Sequence, residues 1–301
     1  MPLSHNQTLT FLKQRFAEVG IRPDKRRGQN FLIDLNLQDL LASTADVGPR
    51  DVVLEVGTGT GALTAQLAER AAWVVTIEIA PQLYQLASEQ LIDYPNVTIL
   101  HQDALKNKNT LHPNLIAAVR ERLVEEPDCR FKLAANLPYS IATPVLSNLL
   151  SSEIVPDSMT VTIQKELADR IMAPPGAKDY NALSIWVQCQ CHTSLVRVMP
   201  PSVFWPRPKV NSAIIQIVPD QKLRDKIPDL DFFHTFVRSV FLHRRKFLRS
   251  VILSAFKKRL GKPEVDEIMG QLGLGADSRA EQLNVRIMLA LCEAVRSKLG
   301  D

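Results

Sequence analysis

Val52-Val-Leu-Glu-Val56-Gly57-Thr-Gly59-Thr-Gly61-Ala62-Leu-Thr64 decides the fold. A short apolar run ends in alternating glycines, and a helix expected over 62–70 opens directly behind them. The same alternation continues downstream. Apolar runs at Trp73–Ile77, Val97–Leu100, Phe131–Ala135 and Met159–Ile163 read as strands, with helices over Pro81–Leu91 and Pro144–Leu150 between them. Repeated βα units demand a parallel, doubly wound α/β sheet that binds ligands at the carboxyl ends of its strands. Ser184–Cys191 and Ser212–Val218 read as closing strands, the last one antiparallel. Upstream lie a short helix over Thr8–Gly20, the basic loop RPDKRRGQNFL, and a helix over Leu35–Ala45 with Leu37, Leu40 and Leu41 on one face. After Pro219 the pattern turns helical, with a basic amphipathic segment over Phe232–Leu260. The expected domains are therefore 1–218, an α/β unit, and 219–301, a small all-α unit.

The bulk composition fits this reading. The chain has 301 residues, 46% hydrophobic and 23% charged, so a sizeable core is expected and disorder is not. No apolar run approaches the roughly 18 residues of a membrane span, and the first residues lack a secretory layout, so a cytoplasmic protein without a membrane is expected. The cysteines (Cys129, Cys189, Cys191, Cys292) are too scattered for a disulfide scaffold. No second ligand pair stands at zinc-like spacing, so no metal is expected. Residues 219–301 hold 16 Lys and Arg against 11 Asp and Glu, whereas 1–218 hold 20 against 21. The positive excess is C-terminal and suggests a polyanionic partner.

Acidic or amide residues end each of the strands that follow the glycine turn. Glu78 ends the second strand, where an acid accepts the ribose hydroxyls of a nucleoside. The spacing G-x-G-x-G differs from the G-x-G-x-x-G that cradles a pyrophosphate, and so favours S-adenosylmethionine over NAD. Asp103 follows the third strand, placed to accept from the adenine amine of that cofactor. Asn136-Leu137-Pro138-Tyr139 ends the fourth. There the Asn136 side-chain oxygen and the Leu137 carbonyl form two acceptors for an amine on a flat ring, and Tyr139 offers a stacking face. Phe204, in a Pro-rich stretch, is a second stacking face or else a core aromatic. Arg238, Arg245 and Arg249 fall on one stripe of the basic segment, with Arg244 and Lys246 beside them; the stripe contacts RNA phosphate or is a solvated face.

Together these residues resemble the ribosomal RNA adenine dimethyltransferase family. The resemblance covers about residues 8–295. It rests on Gly28-Gln-Asn30-Phe-Leu32, Glu55–Gly61 with Ala62-Leu-Thr64, Glu78, Asp103, Asn136–Tyr139, Gln164-Lys165-Glu166, Pro208-Lys209-Val210 and Arg244-Arg245-Lys246. It implies a Rossmann-like S-adenosylmethionine methyltransferase sheet, with cofactor contacts from Asn30, Leu32, Gly57, Glu78, Asp103 and Asn136. It also implies dimethylation of the N6 amines of two adjacent adenines near the 3′ end of small-subunit (16S) rRNA during ribosome biogenesis. The substrate is then the rRNA in the small ribosomal subunit or an assembly intermediate. Thr58 stands where the family usually has proline, and Arg27 replaces a common leucine. The Asn136–Tyr139 form, the run from Lys25 to Leu32 and the Arg-Arg-Lys helix favour the small-subunit branch over large-subunit relatives.

Two other classes compete. One is an RNA- or DNA-binding factor that keeps the fold without catalysis, against which the complete set Glu78, Asp103 and Asn136–Tyr139 argues. The other is a DNA or protein N-methyltransferase, against which the GQNFL run and the basic helical C-terminal domain argue. No self-association stripe is evident, so a monomer is expected.

Overall fold

In the computed structural model, which describes residues 9–18, 20, 23, 28–257 and 259–300, seven strands form one mixed sheet. They are Asp51–Val56 (β1), Trp73–Glu78 (β2), Val97–His101 (β3), Arg130–Asn136 (β4), Ser158–Gln164 (β5), Cys191–Met199 (β6) and Ser212–Pro219 (β7). The sheet order is β3-β2-β1-β4-β5-β7-β6. β1 pairs in parallel with β2 on one side and β4 on the other, with Val53 beside Val74 and Lys132. β2 continues in parallel to β3, and β4 to β5. β7 returns antiparallel to β5, with Ser212 opposite Gln164. Chain order therefore reverses between β1 and β4, and a doubly wound sheet opens a crevice at such a point. β1 is buried at all six positions, which is why its sequence reads as an unbroken apolar run rather than an alternating one.

Helices pack against these strands, and their starts are written locally. Asp34 accepts from the Leu37 N–H at 3.2 Å, and the next helix runs Leu35–Thr44. Pro81 opens Pro81–Gln90, where a missing N–H costs nothing. Helix Ala62–Ala68 is buried at every position. A helix over Pro113–Glu125 and a small hairpin over 105–111 lie beyond the elements expected from the sequence.

The amino ends of the central strands are tied by charge. Asp51 is fully buried and meets Lys132 Nζ at 3.0 Å and Arg130 Nε at 2.9 Å. It also accepts from the Gly48 N–H at 2.8 Å. Lys132 is itself 4% exposed, so the pair is desolvated and strong only while both members are present.

The structure corrects three expectations. Ser184–Cys191 is not a strand: Ala182–Gln188 is a helix, capped by the Asn181 side chain on the Leu183 N–H at 2.8 Å, and the strand begins at Cys191. A short run buried on all sides carries no period to separate helix from strand. The basic segment over 232–260 is not one helix but two, Leu230–Phe241 and Leu248–Ala255, parted by a turn. Contacts also divide the chain differently from a cut at 218. Met1–Ala168 with Ser194–Val218 forms one compact unit, and Asp169–Thr193 groups with Pro219–Asp301. In that second unit the buried Trp186 and Tyr180 pack on Phe233 and Phe241, so a segment early in the sequence supplies part of the helical core. Lys25 and Arg27 lie outside the described residues.

Asp51→Ala leaves the Lys132 ammonium buried without its counter-charge. Urea unfolding is expected to show a loss of about 3–5 kcal/mol, with the sheet's carboxyl-end crevice unaffected in the protein that remains folded.

Candidate active site

The carboxyl ends of β1, β2 and β4, with the segment after β3, surround one cavity. Its walls include Gly28–Leu32, Glu55–Thr60, Glu78, Asp103, Asn136 and Pro138. Each wall is placed by the turn that ends its strand. After Val56 the chain reverses over β2, and the Gly57 N–H donates to the Ile77 carbonyl at 2.9 Å. Gly57 has φ +90°, and a Cβ there would lie 3.1 Å from the Pro138 ring. Gly28 has φ +69°, and its Cβ would fall 2.9 Å from the Tyr139 backbone nitrogen. Only glycine meets both demands. Three sequence motifs far apart in the chain thus touch backbone to backbone.

Asn136 sits at the centre of that contact. Its Nδ2 donates to the Asn30 carbonyl at 2.9 Å, while Asn30 Nδ2 donates to the Gly28 carbonyl at 3.1 Å. Holding the carboxamide by its nitrogen leaves the Oδ1 end as the acceptor. The Leu137 N–H is bonded to the Thr162 carbonyl at 3.2 Å, and the residue is 1% exposed. The Tyr139 hydroxyl shares a hydrogen bond with Ser212 of β7. Burial raises its phenol pKa, so it stays neutral. Anchored at the hydroxyl, the ring is held at a fixed angle beside Pro138.

Glu78 is 5% exposed, and both of its oxygens accept from backbone: Oε2 from the Gly59 N–H at 3.0 Å, and Oε1 from the Ala80 N–H at 2.9 Å. The carboxylate is therefore oriented before any ligand arrives. Asp103 Oδ1 accepts from the Leu105 N–H at 2.9 Å and lines the cavity. Leu32 also lines it, 6% exposed.

Other expected site residues fall elsewhere. Phe204 is 2% exposed; it pairs with Leu32 in a two-residue ladder and packs in the core with Val53, Leu67 and Ile214. In this conformation both ring faces are occupied by core contacts, so the core reading of this aromatic describes it. The five basic residues also do not form one stripe. Arg238 lies on Leu230–Phe241, Arg244–Lys246 lie in the turn, and Arg249 lies on Leu248–Ala255. Arg244 donates to the carbonyls of Lys178 and Tyr180, each at 2.8 Å, and lies 3.6 Å from Glu281. Arg249 pairs with Asp266 at 2.7 Å. Arg238, Arg245 and Lys246 are exposed.

One group at the site escaped its sequence reading. Glu55 is 1% exposed and lines the cavity floor. Its Oε2 accepts from Thr64 at 2.5 Å and from Thr76 at 2.8 Å, and the Thr58 hydroxyl stands 2.7 Å from that of Thr76. Thr76 spends its only proton on Glu55, so Thr58 donates to Thr76. The threonine at the family's proline position thereby extends a buried network. Burial, aided by the Glu78 charge and opposed by the two hydroxyls, pushes the Glu55 pKa up from 4.5 to about 8. The signal was present as Glu55 and Thr64 in one motif; the third member, Thr76, needs the register that sets it beside Glu55.

A carboxyl whose folded pKa lies above its unfolded value adds stability that is complete below the unfolded value and lost as pH rises to the folded one. The protein is therefore expected to lose stability relative to its Glu55→Gln variant between pH 4.5 and about 8, by about 1.4 kcal/mol for each unit that the folded pKa is raised. Denaturant midpoints of both proteins across that range check it; parallel curves would show that Glu55 is ionised throughout.

Comparison with known proteins agrees with this geometry. The family model described as ribosomal RNA adenine dimethylase matches residues 22–293. The chain is 39% identical over 278 residues to ribosomal RNA small subunit methyltransferase A of Lactiplantibacillus plantarum, covering 92% of this chain and 91% of that protein. It is 35% identical over 289 residues to the protein of the same name from Geobacillus kaustophilus, covering 96% of each. Among solved structures, a dimethyladenosine transferase from Plasmodium falciparum superposes with a TM-score of 0.74 at 24% identity, covering 88% of this chain and 97% of that one. The 23S rRNA methyltransferase ErmE gives 0.62 at 23%, covering 88% and 99%. These two show the same fold. With nearly its whole length matched by the family model and by relatives above 30% identity, the chain belongs to the ribosomal RNA adenine dimethylase family.

Proposed function

We propose that the chain is a cytoplasmic enzyme that transfers methyl groups from S-adenosylmethionine to the N6 amines of two adjacent adenines near the 3′ end of small-subunit rRNA. The observation that carries this is the joined site, in which the Asn136 carboxamide is fixed by Asn30 at the rim of a cavity walled by the glycine turn. The cavity fits the donor. Three carboxyl groups (Glu55, Glu78, Asp103) and no Lys, Arg or His line it among the described residues. That set suits a sulfonium cation and offers no cation to a pyrophosphate.

When bound, the donor supplies an electrophilic methyl on sulfonium. The protein's part is orientation. Glu78 would hold the ribose hydroxyls with its oriented carboxylate, and Gly57, lacking a side chain, would let the ligand lie against backbone. Asn136 Oδ1 and the Leu137 carbonyl accept the two amine hydrogens, turning the nitrogen lone pair out of conjugation and toward the methyl. Tyr139 stacks the base. In-line displacement so arranged depends on proximity and alignment rather than on a strong base. Phe204 supports this from behind by holding Leu32 in place. On the helical unit, exposed Arg238, Arg245 and Lys246 take phosphates, whereas Arg244 and Arg249 hold the unit's own structure.

Asn136→Ala is expected to lower single-turnover methyl transfer on undermethylated small subunits by at least about a hundredfold, with RNA binding recorded separately and retained. Transfer at the parent rate would overturn the amine clamp. Replacing Arg245 and Lys246 with Ala should weaken RNA binding and reduce its salt slope by about two, one for each lost phosphate contact. An unchanged slope would make the turn a solvated face. Arg244→Ala should instead lower the melting temperature, because two carbonyls lose their donor.

A further inference from the structure

Glu55 is placed to do more than fill the cavity floor. Its hydrogen bonds from the described residues arrive at Oε2, from Thr64 and Thr76, and none reaches Oε1; the residue is 1% exposed at the cavity wall. The groups facing it from each packed element are uncharged or negative. β2 presents Thr76 and Glu78, helix Ala62–Ala68 presents Thr64, β4 presents Asn136, and the 28–32 segment presents Asn30. Asp103 lies across the cavity. Arg130 and Lys132, the cations on β4, are committed to Asp51 at the opposite end of that strand. A buried carboxyl in such surroundings holds its proton until a positive charge enters, and the pKa of about 8 agrees.

Resting on the methyl-donor reading above, we propose that Glu55 is a charge sensor that distinguishes the cationic donor, S-adenosylmethionine, from its neutral thioether product, S-adenosylhomocysteine, by releasing its proton to solvent when the donor binds and keeping it when the product binds. The two ligands share adenosine and the amino-acid tail, so Glu78, Asp103 and the glycine turn hold them alike; the sulfonium charge is the difference. The α-ammonium of the tail is common to both ligands, so the sulfonium charge is what makes an ionised Glu55 attract the donor more strongly, and the protonated form favours exchange of product for fresh donor. Thr64 and Thr76 stabilise the ionised form by aiming hydroxyls at Oε2, and Thr58 donates to Thr76, so the threonine in place of proline tunes the sensor through Thr76.

The test is calorimetric. Donor and product are titrated into the unliganded protein between pH 6 and 9, in two buffers of different ionisation enthalpy, which counts protons directly. Near pH 7 the donor is expected to release close to one proton and the product close to none. The donor's Kd should fall about tenfold for each pH unit up to about 8, while the product's stays flat. Glu55→Gln, nearly isosteric and still able to accept from both threonines, should abolish the proton release and the pH slope difference; titration of the ligands' own amine persists in that variant and is subtracted. If the variant does not fold, the proton counts on the parent decide alone. Equal counts for the two ligands, or a difference that survives Glu55→Gln, overturns the sensor. Absence of any donor binding overturns instead the cofactor reading on which it rests.

Discussion

The site depends on a hydrogen bond between residues 106 positions apart, from the Asn136 carboxamide to the Asn30 carbonyl at 2.9 Å. It settles which end of the carboxamide is left to accept, because a donor already committed to backbone leaves only the oxygen. The bond requires the 28–32 segment to lie against the end of β4, and that approach is possible only because Gly28 has no Cβ to meet the Tyr139 nitrogen. The same end of β4 presses Pro138 on Gly57, so the cofactor turn and the base clamp are set by one contact region. A side chain added at either glycine would displace both binding surfaces together.

Charge is apportioned along the strands in a way that serves this arrangement. At the amino ends, Asp51 is matched by Lys132 and Arg130, and the buried charges cancel. At the carboxyl ends Glu55, Glu78 and Asp103 gather around the cavity, and no Lys, Arg or His lines it among the described residues. Glu78 tolerates burial because two backbone N–H groups point at it. Glu55 is harder to ionise because burial outweighs the two hydroxyls that point at it.

In the helical unit, the motif Arg244-Arg245-Lys246 joins two kinds of work that sequence cannot separate. Arg244 Nη1 donates to two carbonyls in the 178–180 segment while its Nε lies 3.6 Å from Glu281, a spread of donors that a planar guanidinium supplies. Arg245 and Lys246, its neighbours in the turn, stay exposed. A basic run therefore does not translate residue by residue into a nucleic-acid footprint.

The mostly parallel α/β sheet, its antiparallel last strand, and the gathering of Gly57, Glu78, Asp103 and Asn136 on one cavity wall were legible because each is written locally, as an apolar run that stops at glycine, acid or amide. Helix starts at Pro81 and Asp34 were legible for the same reason. What the linear pattern left undetermined depends on partners distant in sequence. The run 184–188 is helical because a capping Asn181 precedes it and apolar neighbours surround it, conditions that erase its period. The long basic helix breaks at 242–247, where Phe247 pairs instead with Arg279. Phe204 faces the core because a two-residue ladder with Leu32 places it there, and Arg249 is spent on Asp266. The sequence by itself determined the chemistry available at each strand end, since residue type and the turn that follows are properties of neighbouring positions. Tertiary structure alone decided which of those groups are charged, which are occupied and which face a ligand, because burial and hydrogen-bond partners exist only once distant segments are packed together.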